Sequence, residues 1–273
     1  METRSAEQVK EHYEIEKQIA ARLQNSTPDE RKNLYTWAYD ELFQKVPHHP
    51  LLSENPQTER RKYVSKEILR LTPFIKKDTV YLEVGPGDCL VALEMAKRAK
   101  KVYAIDVSTE ITKNLDKPEN FELILSDGTS IPVATESVDF AYSDQLMEHL
   151  HPEDSLEQLR NIFRALKPGG KYFCITPNRL SGPHDVSRHF DPVATGLHLK
   201  EYTVTELSRM FKKTGFSKTK IYLQFSNFRI FLPVIFYKVA EGFLGVLPHS
   251  LRKMITFNKV VRFFLGVKLL GEK

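Results

Sequence analysis

From Thr79 onward the chain repeats one texture: a short β-branched and aromatic run, then a stretch whose apolar positions recur at helical spacing. Thr79–Val84, Lys101–Ile105, Phe121–Leu125, Val138–Tyr142 and Lys171–Thr176 predict strands, and Leu90–Ala96 predicts a helix between the first two. Apolar strands separated by helix-compatible segments imply a parallel sheet covered on both faces. After Pro177 a long polar loop leads to a helix at Thr203–Lys213, where Thr203 and Glu206 hold capping-box spacing. A strand near Lys218–Gln224 follows.

Residues 1–77 lack this alternation and look helical throughout. Thr27 and Glu30 have capping-box spacing with Pro28 at the first turn, a strong helix start. The helix so opened carries Leu34, Trp37, Ala38, Leu42 and Phe43 on one face and ends at Pro47. Another is expected from about Gln57 to Leu71, stopping before Pro73. No internal repeat or low-complexity segment interrupts the chain.

Composition narrows the class. At 273 residues with 41% hydrophobic and 27% charged, the chain can bury a core, which excludes disordered, collagenous and low-complexity polymers. The net charge of +5 is localised: from Ile221 onward there are eight Lys or Arg against two Asp or Glu. The preceding part is close to neutral, so a nucleic-acid-binding core is not expected. Cys89 and Cys174, far apart in apolar surroundings, form neither a disulfide framework nor a metal knuckle and fit a reducing cytosol. The charged amino terminus is no signal peptide, and the longest uncharged stretch of the tail, Gly242–Leu251, falls short of the roughly 20 residues a bilayer demands. A cytoplasmic protein is expected.

The strongest chemical signal is Leu82–Asp88, a strand running into Gly85-Pro86-Gly87. Glycines let the backbone approach a ligand, and the next helix offers free amides and a positive dipole end. Taken alone this could be a plain turn. Its spacing argues otherwise: Asp106 closes the second strand, where a carboxylate can accept both hydroxyls of a ribose. Asp127-Gly128 closes the third and Ser143-Asp144 the fourth, so polar or glycine residues end four successive strands, as at a switch-point crevice. A dinucleotide fits poorly, because Leu90 stands where its fingerprint needs a small residue and Asp88 would repel a pyrophosphate.

Glu83–Gly87, Asp106, Ser126–Gly128, Ser143–Leu150 and Leu166–Gly170 together resemble the class I S-adenosylmethionine-dependent methyltransferases over roughly residues 77–225. The resemblance implies an α/β, Rossmann-like, doubly wound and mostly parallel sheet of about seven strands. It divides the chain into a helical N-terminal cap (1–77), a cofactor-binding methyltransferase domain (78–225) and an apolar, basic C-terminal extension (226–273). It also implies that S-adenosylmethionine is bound and S-adenosylhomocysteine released, with Glu83, Gly85 and Gly87 bordering the methionine part. Asp106 would hold the ribose, Asp127 and Gly128 would meet the adenine, and Ser143 would lie beside the sulfonium, with Pro86 and Val107 as further cofactor-binding residues. The family's third small residue is replaced here by Cys89. The reaction implied is in-line displacement at an activated methyl, for which alignment, exclusion of water and sometimes a base suffice.

His149, near the start of the helix after the fourth strand, is the candidate catalytic base; the alternative is that it orients a helix or loop by hydrogen bonds. His151, just before Pro152, is expected to be a surface or capping residue. Gln145, Glu148, His149 and His198 resemble the ligand pattern of metal-assisted relatives, but Gln145 stands where a carboxylate is wanted, so no metal is expected. In the loop after the fifth strand, Arg179, His184, Arg188 and His189 are candidate substrate contacts, with an ordinary solvated loop as the alternative. Tyr35, Trp37, Tyr39 and Phe43 either cap the cofactor pocket or simply pack the helix. The tail, with Phe231–Tyr237 and Val260–Leu265 among Arg and Lys, suits peripheral contact with an anionic membrane or cover for a greasy tunnel; a homodimer interface or core-covering helix pair is the alternative. Its expected partner is a small-molecule or lipid-linked methyl acceptor, with a hydroxyl favoured because His149 could deprotonate one. The rival readings are a cofactor-binding scaffold without chemistry, a nicotinamide dehydrogenase and an aminopropyl transferase.

Overall fold

The computed structural model describes residues 4–50, 52, 57–108, 112, 115–225 and 228–273. The expected parallel strands form as β1 (Val80–Val84), β2 (Lys101–Asp106), β3 (Phe121–Leu125), β4 (Val138–Asp144) and β5 (Leu166–Thr176). β6 (Lys218–Phe225), β7 (Phe228–Pro233) and β8 (Val267–Glu272) complete a sheet ordered β3-β2-β1-β4-β5-β8-β6-β7. β1 lies between β2 and β4, so the chain changes direction across the sheet there, which is the switch point. β8 runs antiparallel to both β5 and β6, and β7 antiparallel to β6.

Alternate residues of each strand feed two apolar layers. Leu82, Ala141, Tyr172 and Cys174 pack on one face against α5 (Pro152–Ala165) and α6 (Val204–Thr214). Tyr81, Phe140, Tyr142, Phe173 and Ile175 pack on the other against α3 (Gln57–Leu71) and α4 (Leu90–Ala96). This accounts for strands that read as continuous apolar runs: both faces are buried.

Three expectations about the parts are corrected. There are eight strands among the described residues, not about seven. α3 belongs to the layer flanking the sheet, so the cap proper is α1 (Ala6–Gln24) and α2 (Pro28–Lys45). Residues 226–273 are not a simple extension, because β8 returns to fill the gap between β5 and β6 and only what precedes it projects. That projection comprises β7, α7 (Val234–Val246), α8 (His249–Thr256) and α9 (Lys259–Leu265). β8 was hard to foresee: its pattern Val-Lys-Leu-Leu-Gly is short, and Gly271 is there because a Cβ would sit 2.6 Å from the ring of Phe211.

α1 and α2 lie over the carboxyl ends of the central strands, packing with Leu150 and Leu197. Their caps form as the sequence requires, with reciprocal capping boxes at Ser5/Gln8 and Thr27/Glu30. The buried face of α2 is Arg31, Tyr35, Ala38 and Leu42, rotated from the expected one; Leu34, Trp37 and Phe43 are only partly buried. Arg31 decides the rotation. Its guanidinium is buried and bidentate to Asp154 in the first turn of α5 (2.6 and 2.8 Å), and Tyr35 Oη donates to the same carboxylate at 2.6 Å.

Candidate active site

A cavity of about 400 Å³ lies between the cap and the carboxyl ends of β1, β2 and β4. Its floor is the turn after β1. Gly85 sits at φ +68°, where its N–H donates to the Ile105 carbonyl of β2 (2.8 Å) and an added Cβ would meet Leu146 at 2.9 Å. Gly87 N–H donates to Asp106 Oδ2 (3.2 Å), and the other oxygen of Asp106 accepts from Val107 N–H (2.7 Å) and Ser108 N–H (3.2 Å). The two loops are therefore held together through one carboxylate. Burial raises the Asp106 carboxyl from its ordinary range, and the three backbone donors oppose that rise.

The cap forms the roof. Thr36 donates to the Val107 carbonyl (2.8 Å) and Asp40 accepts from Ser108 Oγ (2.9 Å), tying α2 to the end of β2. Tyr35 packs so closely on Gly128 that a Cβ there would lie 2.6 Å from the ring, and Gln158 Nε2 donates to the Gly128 carbonyl (2.7 Å). Tyr39, Leu42 and Phe43 add apolar lining, so Tyr35, Tyr39 and Phe43 cover the cavity whereas Trp37 does not reach it. Trp37 instead stacks under Arg22, 4.1 Å from its guanidinium.

Of the residues singled out for the cofactor, Gly85, Pro86, Gly87, Asp106, Val107 and Gly128 line this cavity. Three do not. Glu83 is buried beneath the turn and accepts from Tyr81 Oη (2.8 Å). Asp127 caps its own turn through Thr129 and Ser130, four bonds that outweigh burial and hold its carboxyl below the usual range. Ser143 is fully buried with its hydroxyl on Tyr172 Oη (2.7 Å), pointing into the sheet's packing layer; Asp144 and Gln145 line the cavity in its stead.

His149 lines the cavity at the end of a single 3₁₀ turn (Met147–His149), before α5 begins. Its Nδ1 lies 3.1 Å from the Leu197 carbonyl, an acceptor only, so Nδ1 carries the hydrogen and Nε2 keeps its lone pair. Burial, reinforced by His198 at 4.8 Å between ring centroids, depresses the imidazole to about 3. It is therefore neutral at ordinary pH. His198 goes the other way: burial works against its charge, but the bond to Glu201 (2.8 Å) and the nearby Glu148 raise it. Glu148 is buried, accepts from Thr176 (2.8 Å), and is pushed up to about 7 by burial. Donor atoms of Glu148, His149 and His198 lie within 4.8 Å of one another, and so do those of His12, Glu16 and His49. In the second group Arg4 donates to His12 Nδ1 (2.6 Å), which leaves Nε2 protonated toward Glu16 (2.8 Å) rather than available to an ion. His151 caps α5, accepting from the Glu153 N–H.

None of the four loop residues expected at the substrate lines the cavity. Arg179 pairs with Glu206 (2.9 Å) at the surface. His184 is turned onto Ser181 (3.1 Å) and the Asn178 carbonyl (3.3 Å), and burial lowers it. Arg188 and His189 bond one another on an exposed turn. The reason is where the loop folds: Asn178 and Asp185 cap its 3₁₀ turns and draw it to the outside, while Leu197 further along reaches the site. The lining also includes Glu16, His49, Arg60, Tyr63 and Gln158, which sequence reasoning missed. Glu16, Arg60, Tyr63 and Gln158 come from three helices far apart in the chain and His49 from the turn after α2, and they carry no motif. Arg60 and Tyr63 at helical spacing were the one available signal.

The electrostatics select a class of ligand. Burial pushes the Glu83 carboxyl from 4.5 to about 8, with Asp144, Asp88 and Glu67 adding to the rise. The lining arginine, Arg60, is already paired with Asp88. Glu83, so raised, is neutral at pH 7 and adds no charge; the acidic side chains lining the cavity are Glu16, Asp106 and Asp144, a set that suits a cationic ligand and disfavours a diphosphate. α4 has only seven residues and starts from Cys89 in the left-handed conformation, so a dipole contribution from it is minor. S-adenosylmethionine, with a sulfonium, an ammonium and a ribose diol, fits these residues: Asp106 would hold the diol, the Gly85–Gly87 turn the methionine part, and Gly128 with Tyr35 the base.

Residues 57–221 match the family model described as a methyltransferase domain. A probable S-adenosylmethionine-dependent methyltransferase of Mycolicibacterium smegmatis is 26% identical over 136 residues, 50% of this chain and 51% of that protein. An S-adenosyl-L-methionine-dependent Diels-Alderase of a Neonectria species is 33% identical over 138 residues, 47% of this chain and 52% of that protein. The chain thus spans about half the length of these curated relatives. The S-adenosylmethionine-dependent methyltransferase structure from Mesorhizobium loti superposes with a TM-score of 0.52 at 13% identity, covering 77% of this chain and 98% of that one.

Proposed function

Because the chain belongs to the methyltransferase-domain family, we propose that it transfers the methyl group of S-adenosylmethionine to a small-molecule or lipid-linked acceptor, with a hydroxyl favoured. The cofactor, when bound, supplies an activated methyl on a good leaving group. What remains for the protein is to hold both partners in line, keep water out and receive a proton. The observation that carries the reading is the convergence of the Gly85–Gly87 turn, Asp106 and His149, whose Nδ1 is taken by the Leu197 carbonyl, on one cavity.

In this reading Asp106 binds the ribose, while Tyr35, Tyr39, Leu42 and Phe43 exclude water. His149 Nε2 takes the acceptor's proton, and the Leu197 carbonyl fixes its tautomer. A depressed imidazole is a weak base at rest, so the proton moves as the new bond forms and acidifies the nucleophile. No metal is needed for any of these steps.

Titration with S-adenosylhomocysteine tests the cofactor site. Asp106→Asn is expected to weaken binding by about 1.5–3 kcal/mol, the worth of charge-assisted hydrogen bonds. Unchanged affinity would remove Asp106 from the ribose. Mass-shift screening of extracts for a compound gaining one methylene tests the transfer. A second reading, a cofactor-binding scaffold without methyl transfer, draws on the relative named as a Diels-Alderase. It predicts tight S-adenosylhomocysteine binding and no methylated product.

A further inference from the structure

α7 is apolar on both faces, with its acid turned inward. Its inward positions Val234, Tyr237, Glu241 and Leu244 include its one acid, and Glu241 accepts from Asn178 Nδ2 (2.8 Å) and from the N–H groups of Val204 (2.6 Å) and Thr205 (2.9 Å) at the start of α6. Its outward face is mostly apolar: Ile235, Phe236, Val239, Phe243 and Val246 are each between 57 and 81% exposed, with Lys238 among them. A surface helix in water carries polar and charged residues over most of its outer face. α8 repeats the anomaly on a smaller scale, with Arg252 and Lys253 lining a groove beside the 179–183 turn while Leu251 and Met254 face out. Phe228, Phe257 and Val260 extend the exposed apolar surface, each at least 63% accessible.

The charges that this stretch of chain itself turns outward have one sign. Arg229, Lys238, Arg252, Lys253, Lys259 and Arg262 stand among them, and Glu241, turned inward, is the sole acid between 228 and 266. An isologous dimer through this face would set like charges against like with no acids to match them. A bilayer carrying anionic headgroups offers both an apolar phase for the phenylalanines and countercharge for the bases. No described helix is long and apolar enough to cross a membrane, so contact would be in the interface plane.

We propose that the β7–α7–α8–α9 projection is a docking surface for anionic lipid bilayers, with the outer face of α7 as its apolar insert. It holds the protein by one side, leaving β8 in the sheet and the cavity under its cap. The inference stands apart from the methyl-transfer reading.

Removing everything after Gln224 would also remove β8, so substitutions in the full-length chain are the proper test. The protein is sedimented with vesicles of phosphatidylcholine alone and of phosphatidylcholine mixed with phosphatidylserine. Binding is expected to be roughly tenfold stronger with the anionic mixture and to weaken as salt rises. The double substitution F236E/F243E, and separately K238E, should each reduce it by about tenfold or more while S-adenosylhomocysteine affinity stays unchanged. No vesicle binding, or equal binding by wild type and both variants, overturns the proposal. A dimer seen by light scattering and abolished by F236E/F243E, without vesicle binding, also overturns it and gives the face to a second copy. Titration with S-adenosylhomocysteine reads the cavity independently, so loss of docking and loss of the cofactor site are told apart.

Discussion

His149 and Glu83 show how far burial alone sets chemistry. With its imidazole held near 3, His149 should give no inflection near 6.5 in the pH dependence of kcat. His149→Ala is expected to lower kcat by roughly 10²–10⁴-fold with S-adenosylhomocysteine affinity preserved. An inflection near 6.5 that His149→Ala abolishes would mean that the imidazole is not depressed, and a fall in affinity matching the fall in rate would make His149 a positioning residue. Glu83 carries a stability consequence. Its folded pKa, about 8, lies above its ordinary 4.5, so the folded state holds the proton longer than the unfolded one. That contribution is complete below 4.5 and is lost as pH climbs through about 8. Glu83→Gln keeps a partner for Tyr81 and should flatten the decline in melting temperature between pH 5 and 8, checked by thermal melts of both proteins without ligand. His149 was legible because it follows a strand that ends at the switch point. The state of Glu83 was not, since it depends on burial and on Tyr81, Asp144 of β4 and Glu67 of α3 gathered around it.

At the scale of elements, helix and strand periods are local and could be read directly: α6 and its capping box, the β1 turn and α2 all stand where the pattern puts them. The orientation of α2 was less legible, because a buried Arg31–Asp154 pair pulls Tyr35 inward at the expense of Trp37. β8 was not recognised at all. Lys268 disguises it: the side chain is buried, donates to the Phe263 carbonyl (2.7 Å) and sits 4.6 Å over the Phe263 ring, while burial lowers it to about 8. Its folded pKa is below the ordinary 10.5, so at pH 7 a charged lysine opposes folding and stability should rise between about pH 8 and 10.5. Lys268→Met is expected to raise stability at pH 7 by about 1–3 kcal/mol in denaturant titrations, a gain that shrinks toward pH 10. A loss at pH 7 would mean that the bond to Phe263 outweighs the burial of charge.

For the whole molecule, the cap is tied to the carboxyl ends of the strands around the cavity through Thr36–Val107, Asp40–Ser108 and Tyr35–Gly128. A ligand filling that cavity bridges both parts. Saturating S-adenosylhomocysteine should therefore protect α1 and α2, as well as the β1 turn, in hydrogen exchange. Protection confined to the turn would show that the cap does not close on the cofactor. The docking surface lies in the projection between β7 and β8, so its substitutions should leave that exchange pattern unchanged.

That β1 to β5 form and lie parallel, and that glycines and Asp106 end them at one crevice, could be read from the sequence, because period, turn chemistry and strand-end acids act over a few neighbouring residues. The tertiary structure alone decided which acids face the cavity, that the long loop after β5 folds away from it, and that the chain's last residues return between β5 and β6. Those outcomes turn on burial and on partners brought together from distant parts of the chain. Glu16 beside Leu197, Tyr35 against Gly128 and Lys268 under Phe263 are contacts that no local pattern encodes.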